Sequence, residues 1–167
     1  MHSIQLVMSD LFDMLSGWIR DCTILKCYVF LGILVILNII NISNDPKELG
    51  LLTTEFEKDQ TLNIGLPGFG SSFYSLSDGT FKAYSVVYPA ESDDDYIEIA
   101  RLLVPSEYRG NNFGMKCALN LIEHLFNSTN EILIDTTNES RDFWVKVLTR
   151  TTYRAEQLSY GKFVVKT

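Results

Sequence analysis

Residues 104–116 read VPSEYRGNNFGMK. An apolar, strand-like run ends at Val104-Pro105, and a helical pattern begins near Phe113. Two glycines and two asparagines stand between them. The first N–H groups of a helix have no intrahelical acceptor, and the helix dipole adds positive potential at the same place. Residues 109–114 thus form a candidate anion site, where glycine lets a ligand reach the backbone. A glycine-containing loop alone would not establish it, so the surrounding pattern matters.

Working outward, the chain reads as alternating helices and strands. Asp45 is placed to cap a helix, with Pro46 at its first position and Leu49, Leu52 and Phe56 on one stripe. After a Gly/Pro-rich loop (GLPGFG, 65–70), SSFYSL and FKAYSVVYP read as strands around an Asp78-Gly79 turn. YIEIARLLV is a third strand, 113–127 a helix, 131–136 (EILIDT) a buried strand and 139–149 another helix. RAEQL and GKFVVK close the chain as a hairpin around Ser159-Tyr160-Gly161. That order gives an α/β (α+β) layer architecture.

The first 45 residues read differently. Residues 5–20 put Val7, Leu11, Met14, Leu15 and Trp18 on one helical face and a mostly acidic set on the other, which favours packing on the protein itself over a membrane surface. Residues 27–42 (CYVFLGILVILNIINI) carry no charge. They read either as a membrane anchor or as a fully buried strand or core helix, since β-branched residues abound and Asn38 and Asn41 interrupt the far end. The expected division is 1–45, an amphipathic helix plus hydrophobic segment, and 46–167, the alternating helices and strands.

Composition narrows the function. The chain has 167 residues, enough for one domain with a real core, and 46% are hydrophobic. A net charge of −7 argues against a nucleic-acid partner. The charge is uneven: residues 46–100 carry 3 Lys/Arg against 10 Asp/Glu, and residues 101–167 carry 9 against 7. The half holding the glycine stretch is the one a phosphate-bearing molecule would prefer. Cys22, Cys27 and Cys117 form neither a disulfide framework nor a zinc pattern, so no metal is expected and a reducing compartment, the cytoplasm, is the default.

IEIARLLVPSEYRGNNFGMKCALNLIEHL, followed by EILIDTTNESRDFWVKVL, resembles the GNAT family of N-acetyltransferases. That family's pyrophosphate loop runs Arg/Gln-x-x-Gly-x-Gly/Ala after a Leu-x-Val strand. Leu102, Val104, Tyr108, Arg109 and Gly114 occupy the matching positions, and Gly110 follows the Arg. The resemblance covers about 46–167 and implies a mixed, mostly antiparallel sheet flanked by helices. There are departures. Asn112 replaces the middle Gly, a position Asn tolerates in left-handed backbone. Trp144 stands where the family often has a Tyr that protonates the leaving thiolate, and Leu148-Thr149 replaces a Gly-Phe.

The resemblance implies acetyl-CoA as cosubstrate and an amine as acceptor, a small molecule or a protein. The pyrophosphate would lie on Arg109, Gly110, Asn111, Asn112, Phe113 and Gly114. The N–H of Leu103 or Val104 would bind the thioester carbonyl. Glu98 is the first candidate for the base, sharing a strand face with Tyr96 and Ala100. Tyr153, or alternatively Tyr160, would stand in for the missing acid. Asn138 would touch CoA or, as the better reading, cap the last helix. His124 and Cys117 read as packing residues. Two other functions compete. Glu98 to Arg101 (EIAR) looks like the Glu-x-x-Arg strand of acyl-homoserine-lactone and long-chain N-acyl amino acid synthases. The loss of the acid fits a non-catalytic acyl-CoA-binding or interaction module.

Overall fold

The structure is a computed structural model that describes residues 29–30, 33–34, 37–59, 70–89 and 96–167. The expected helix at 5–20, the acidic run at Asp93–Asp95 and most of the loop at 65–70 lie outside the described residues. The chain divides into two compact units, the boundary falling between Ile36 and Leu37 in the sequence.

In the first unit, strand β1 (Val29–Phe30) pairs antiparallel with β2 (Ile33–Leu34). In the second, β3 (Asn38–Asn41) is the outer strand of a seven-stranded sheet. Of 27–42, which the sequence leaves open between a membrane anchor and a buried strand or core helix, the described residues are extended, as runs of Ile and Val favour. Among the described residues no helix is long and apolar enough to cross a membrane. The second unit also starts earlier than residue 46, because β3 pairs with the strand that opens the central hairpin.

That hairpin is β4 (Ser72–Ser77) and β5 (Lys82–Tyr88), and its turn forms where the sequence placed it. Asp78 Oδ1 accepts from the N–H groups of Thr80 and Phe81 at 2.9 and 2.8 Å, and Gly79 takes φ +89°. β6 (Tyr96–Leu103), β7 (Glu131–Asp135), β8 (Arg154–Ser159) and β9 (Lys162–Lys166) complete the sheet. The strand order is β3-β4-β5-β6-β7-β9-β8, with β6 and β7 the one parallel pair.

Helices cover both faces. Helix α1 (Pro46–Lys58) starts at an Asp45 cap that accepts from the N–H groups of Lys47 and Glu48 at 3.0 and 3.1 Å. Its Leu52 is fully buried against Ile42 and Tyr84. Helices α2 (Phe113–Leu125) and α3 (Asn138–Leu148) lie on the opposite face. There Cys117, Ala118, Leu121 and Ile122 of α2 pack with Val147 of α3 over Ala83, Val87, Ile99, Ile132 and Ile134. Each fully buried Leu or Ile in this layer contributes about 1.5–3 kcal/mol of transfer free energy. The core thus clamps the start of α2 to the end of β6.

Candidate functional site

Two features of β6 open a site at its C-terminal end. The first is its short partnership with β7, limited to Tyr96↔Glu131, Ile97↔Ile132 and Glu98↔Leu133. Beyond Glu98 the two strands no longer pair, and this unpaired seam, or slot, runs toward the loop at 104–112. The second is a bulge opposite Val86 and Val87: Val87 faces Ile99 and Val86 faces Arg101, so Ala100 is the extra residue.

The bulge resets the alternation of side chains. Directly opposed residues share a face, so Glu98 (opposite Tyr88) and Arg101 (opposite Val86) both lie on the α1 face, with Leu103 (opposite Tyr84). In a regular strand, residues three apart point to opposite faces. The bulge thus adds Arg101 to the Glu98 face, a neighbour that regular alternation would not give. No sequence signal reveals the extra residue.

The loop itself matches what the sequence implied for its backbone. After a 3-10 turn at Ser106–Tyr108, Gly110 takes φ +87° and Asn112 φ +64°, the one non-glycine residue with positive φ among those described. The Arg109 N–H is committed to the Ser106 carbonyl, and the Phe113 N–H to Asn111 Oδ1 at 3.0 Å. The N–H groups of Gly110, Asn111, Asn112, Gly114 and Met115 have no acceptor among the described residues. Residues 110–112 are exposed and Gly114 is half-buried. These donors gather at the positive end of a 13-residue helix, an arrangement able to hold an anion.

The side chains sort differently. Arg109 turns away from the loop: its Nε donates to the Val104 carbonyl at 2.8 Å, and its guanidinium pairs with Asp59 at the end of α1. Gly114 serves packing, since a Cβ there would lie 3.3 Å from Val104 Cγ2 and 3.6 Å from a Phe143 ring carbon. Glu55 and Lys58 of α1, with its cap Asp59, meet Leu103, Pro105, Ser106, Glu107 and Arg109 around a cavity of about 120 Å³. That is far smaller than a cofactor-sized pocket. Below it, burial and then the nearby Glu48 and Glu55 push the Tyr84 phenol up to about 12, so it stays protonated at working pH.

The remaining candidates occupy two ends of the sheet. Arg154, Lys166, Glu131 and Tyr96 lie on one run of paired residues, at the start of β6 and β7. Tyr153 sits at that end, its ring 4.3 Å from that of Phe126 beyond the C-terminus of α2. Tyr153, read as a candidate acid, thus lies by the start of β6, away from the loop at 104–112. Tyr160, in the β8–β9 turn, follows Ser159, which pairs with Lys162 and through it with Asp135 at the open end. It is 73% exposed, with the Arg141 guanidinium 4.9 Å from its ring centre. Trp144 is buried in the core at 6% exposure, edge-on to Phe143. Asn138 is exposed and does not cap α3; Thr137 does, in a reciprocal box with Ser140.

No protein-family model matches the sequence, and no curated protein matches it. Solved structures do. The chain is similar to an acetyltransferase from Bacillus subtilis in complex with CoA, at 16% identity and TM-score 0.52, over 79% of this chain and 99% of that one. It is also similar to a spermidine N-acetyltransferase SpeG chimera from Vibrio cholerae, at 11% identity and TM-score 0.56, over 78% of this chain and 95% of that one. GCN5 from Tetrahymena gives 9% identity and TM-score 0.56, over 79% of this chain and 96% of that one. At these identities the likeness is one of fold, and the fold is that of the GNAT acetyltransferases.

Proposed function

We propose that the chain transfers an acetyl group from acetyl-CoA to an amine. The observation that carries this reading is the cluster of N–H groups at Gly110–Asn112, Gly114 and Met115, without acceptors at the start of α2 and beside the slot between β6 and β7. A diphosphate on those donors would let an extended pantetheine arm run down the slot, which brings the thioester to β6. Fold alone does not establish function.

In this reading the N–H of Leu103 or Val104 polarises the thioester carbonyl. Glu98, on the same strand and facing α1, takes the proton the amine must lose before it attacks. Nitrogen adds to the carbonyl carbon, the tetrahedral oxyanion collapses, and CoA leaves as a thiolate that accepts a proton. In this reading Tyr160, at the open end, supplies it. Asn138, exposed at the start of α3, is free to contact the cofactor.

The test is direct. Titration calorimetry with CoA and acetyl-CoA is expected to show binding, and an amine panel with acetyl-CoA to release free thiol. Introducing negative charge in the loop (Asn111→Asp, Asn112→Asp) should weaken binding at least tenfold, the scale of one lost charge-assisted contact. Absence of binding to the unaltered chain would end the proposal. A second reading, a non-catalytic acyl-CoA-binding module, is favoured by the burial of Trp144 where an acid would be needed. Glu98→Gln separates the two: a large fall in kcat with unchanged acetyl-CoA affinity supports the enzyme, and binding without any turnover supports the module.

A further inference from the structure

On the α1 face of the sheet, three of the four described cations near the site are neutralised by a carboxylate. Lys82 pairs with Glu48 at 3.0 Å, Lys58 with Glu55, and Arg109 with Asp59. Arg101 is the exception. Its Nη1 donates to the Ala100 carbonyl at 2.6 Å, and among the described residues its Nε, which is buried, has no acceptor and its guanidinium forms no ion pair. A buried donor on a charged group is unfavourable unless something satisfies it. With Nη1 occupied, the edge formed by Nε and Nη2 is left, and that edge presents two parallel N–H groups matching the two oxygens of a carboxylate.

Position makes this more than an unsatisfied atom. Because Ala100 is the extra residue, Glu98 and Arg101 share one face, roughly 7–10 Å apart along the strand. Both border the stretch of β6 that has parted from β7. One is a proton acceptor and the other an anion receptor, at the spacing of a small bifunctional molecule.

We propose that the acceptor is an amine that also carries a carboxylate, bound through the Nε–Nη2 edge of Arg101 while its amino group faces Glu98. This rests on the acetyl-transfer reading above and narrows its substrate class to amino acids and similar amino-carboxylates. A simple polyamine would place no anion on Arg101 and would leave Nε as it is now.

The test uses the full chain with saturating acetyl-CoA and α-amino acids matched against their carboxamides, thiol release being the readout. Acids are expected to exceed carboxamides in kcat/KM by about tenfold or more, the scale of a charge-assisted bidentate contact. Arg101→Gln should bring each pair to within about twofold, chiefly through KM, and Arg101→Lys should restore part of the preference. Calorimetry with N-acetyl amino acids in the presence of CoA gives a readout that needs no turnover: binding to the unaltered chain, lost in Arg101→Gln. Carboxamides used as well as acids, no acid used at all, or an equal fall for both classes in Arg101→Gln would overturn the proposal. If Arg101→Gln does not fold, the acid preference of the unaltered chain and the Arg101→Lys variant decide. Failure of acetyl-CoA to bind overturns the acetyl-transfer reading itself; binding and turnover without acid preference overturns this inference alone.

Discussion

Arg109 ties the glycine loop to Asp59, the residue that closes α1 on the far side of β6. One guanidinium thus bridges two elements that the chain separates by fifty residues, while its Nε secures the Val104 carbonyl. The guanidinium is about half exposed, so the pair is worth no more than about 1 kcal/mol in stability. Arg109→Ala is expected to lower the unfolding midpoint by only a few degrees. It should weaken acetyl-CoA binding more than Asp59→Asn does, because it also releases the strand end. Calorimetric Kd values for the two variants check this; equal losses would mean that Asp59 alone sets the loop.

Gly110 and Gly114 answer to different constraints. At Gly110 a Cβ would meet nothing within 4 Å, but φ is +87°. Gly110→Ala should therefore cost about 1–2 kcal/mol in backbone strain. At Gly114 the helix start lies against Val104 and Phe143, and Gly114→Val should cost about 1–3 kcal/mol through overpacking. Denaturant midpoints measure both. A double change of Gly114→Val with Val104→Ala should recover part of the second loss and none of the first.

Trp144 is core, and replacing it tests that. Trp144→Ala is expected to cost about 3–5 kcal/mol. Trp144→Tyr should not raise turnover, because the new hydroxyl would enter the apolar layer beneath the sheet, where an unpaired hydroxyl costs about 1–3 kcal/mol. A rise in kcat for Trp144→Tyr would show that this side chain reaches the slot after all.

His124 gives the fold a dependence on acid. Burial beside Tyr74, whose ring centre is 5.6 Å away, lowers its pKa below 6.5. The folded state then binds a proton less readily than the unfolded chain. Its contribution is present above 6.5 and is lost as pH falls through the lowered value. His124→Phe keeps a ring against Tyr74 and removes the titration. The loss of stability between pH 7.5 and 5.5 (roughly one unit either side of the free imidazole value), measured by urea unfolding, should be smaller in that variant than in the parent.

Cys117 is completely buried, and burial pushes its thiol up to about 12. It should resist iodoacetamide in the folded state and react once the chain is unfolded, since the thiolate is the nucleophile. Mass spectrometry of the peptide containing Cys117 reads this without interference from Cys22 and Cys27.

Much of the domain could be read from local chemistry. Asp45 before Pro46, Asp78-Gly79 between alternating strands, and an asparagine at the left-handed position 112 each state their conformation in one or two residues. What escaped reading depends on long-range pairing. Residues 38–41 belong to a β-strand because Ser77 to Tyr74 lie opposite them, and an apolar run carries no period that says so. Thr137 and Asn138 are both good caps, and only the path of the chain chooses between them. The same holds for Tyr153 and Tyr160, whose distance from the slot is set by the direction of β8. Ala100 is the strongest case: one unremarkable alanine decides which side chains share a face.

The brief contact between β6 and β7 has a mechanical consequence. Four strands on one side and three on the other share only three residue pairs at the seam, so the rest of β6 behaves as a free rim in the middle of the sheet. A rim of this kind seeks an extended partner bearing its own amides. A ligand drawn out along it would act as a surrogate strand, zipping the two halves together, and should slow amide exchange on both flanks of the seam rather than only where it touches.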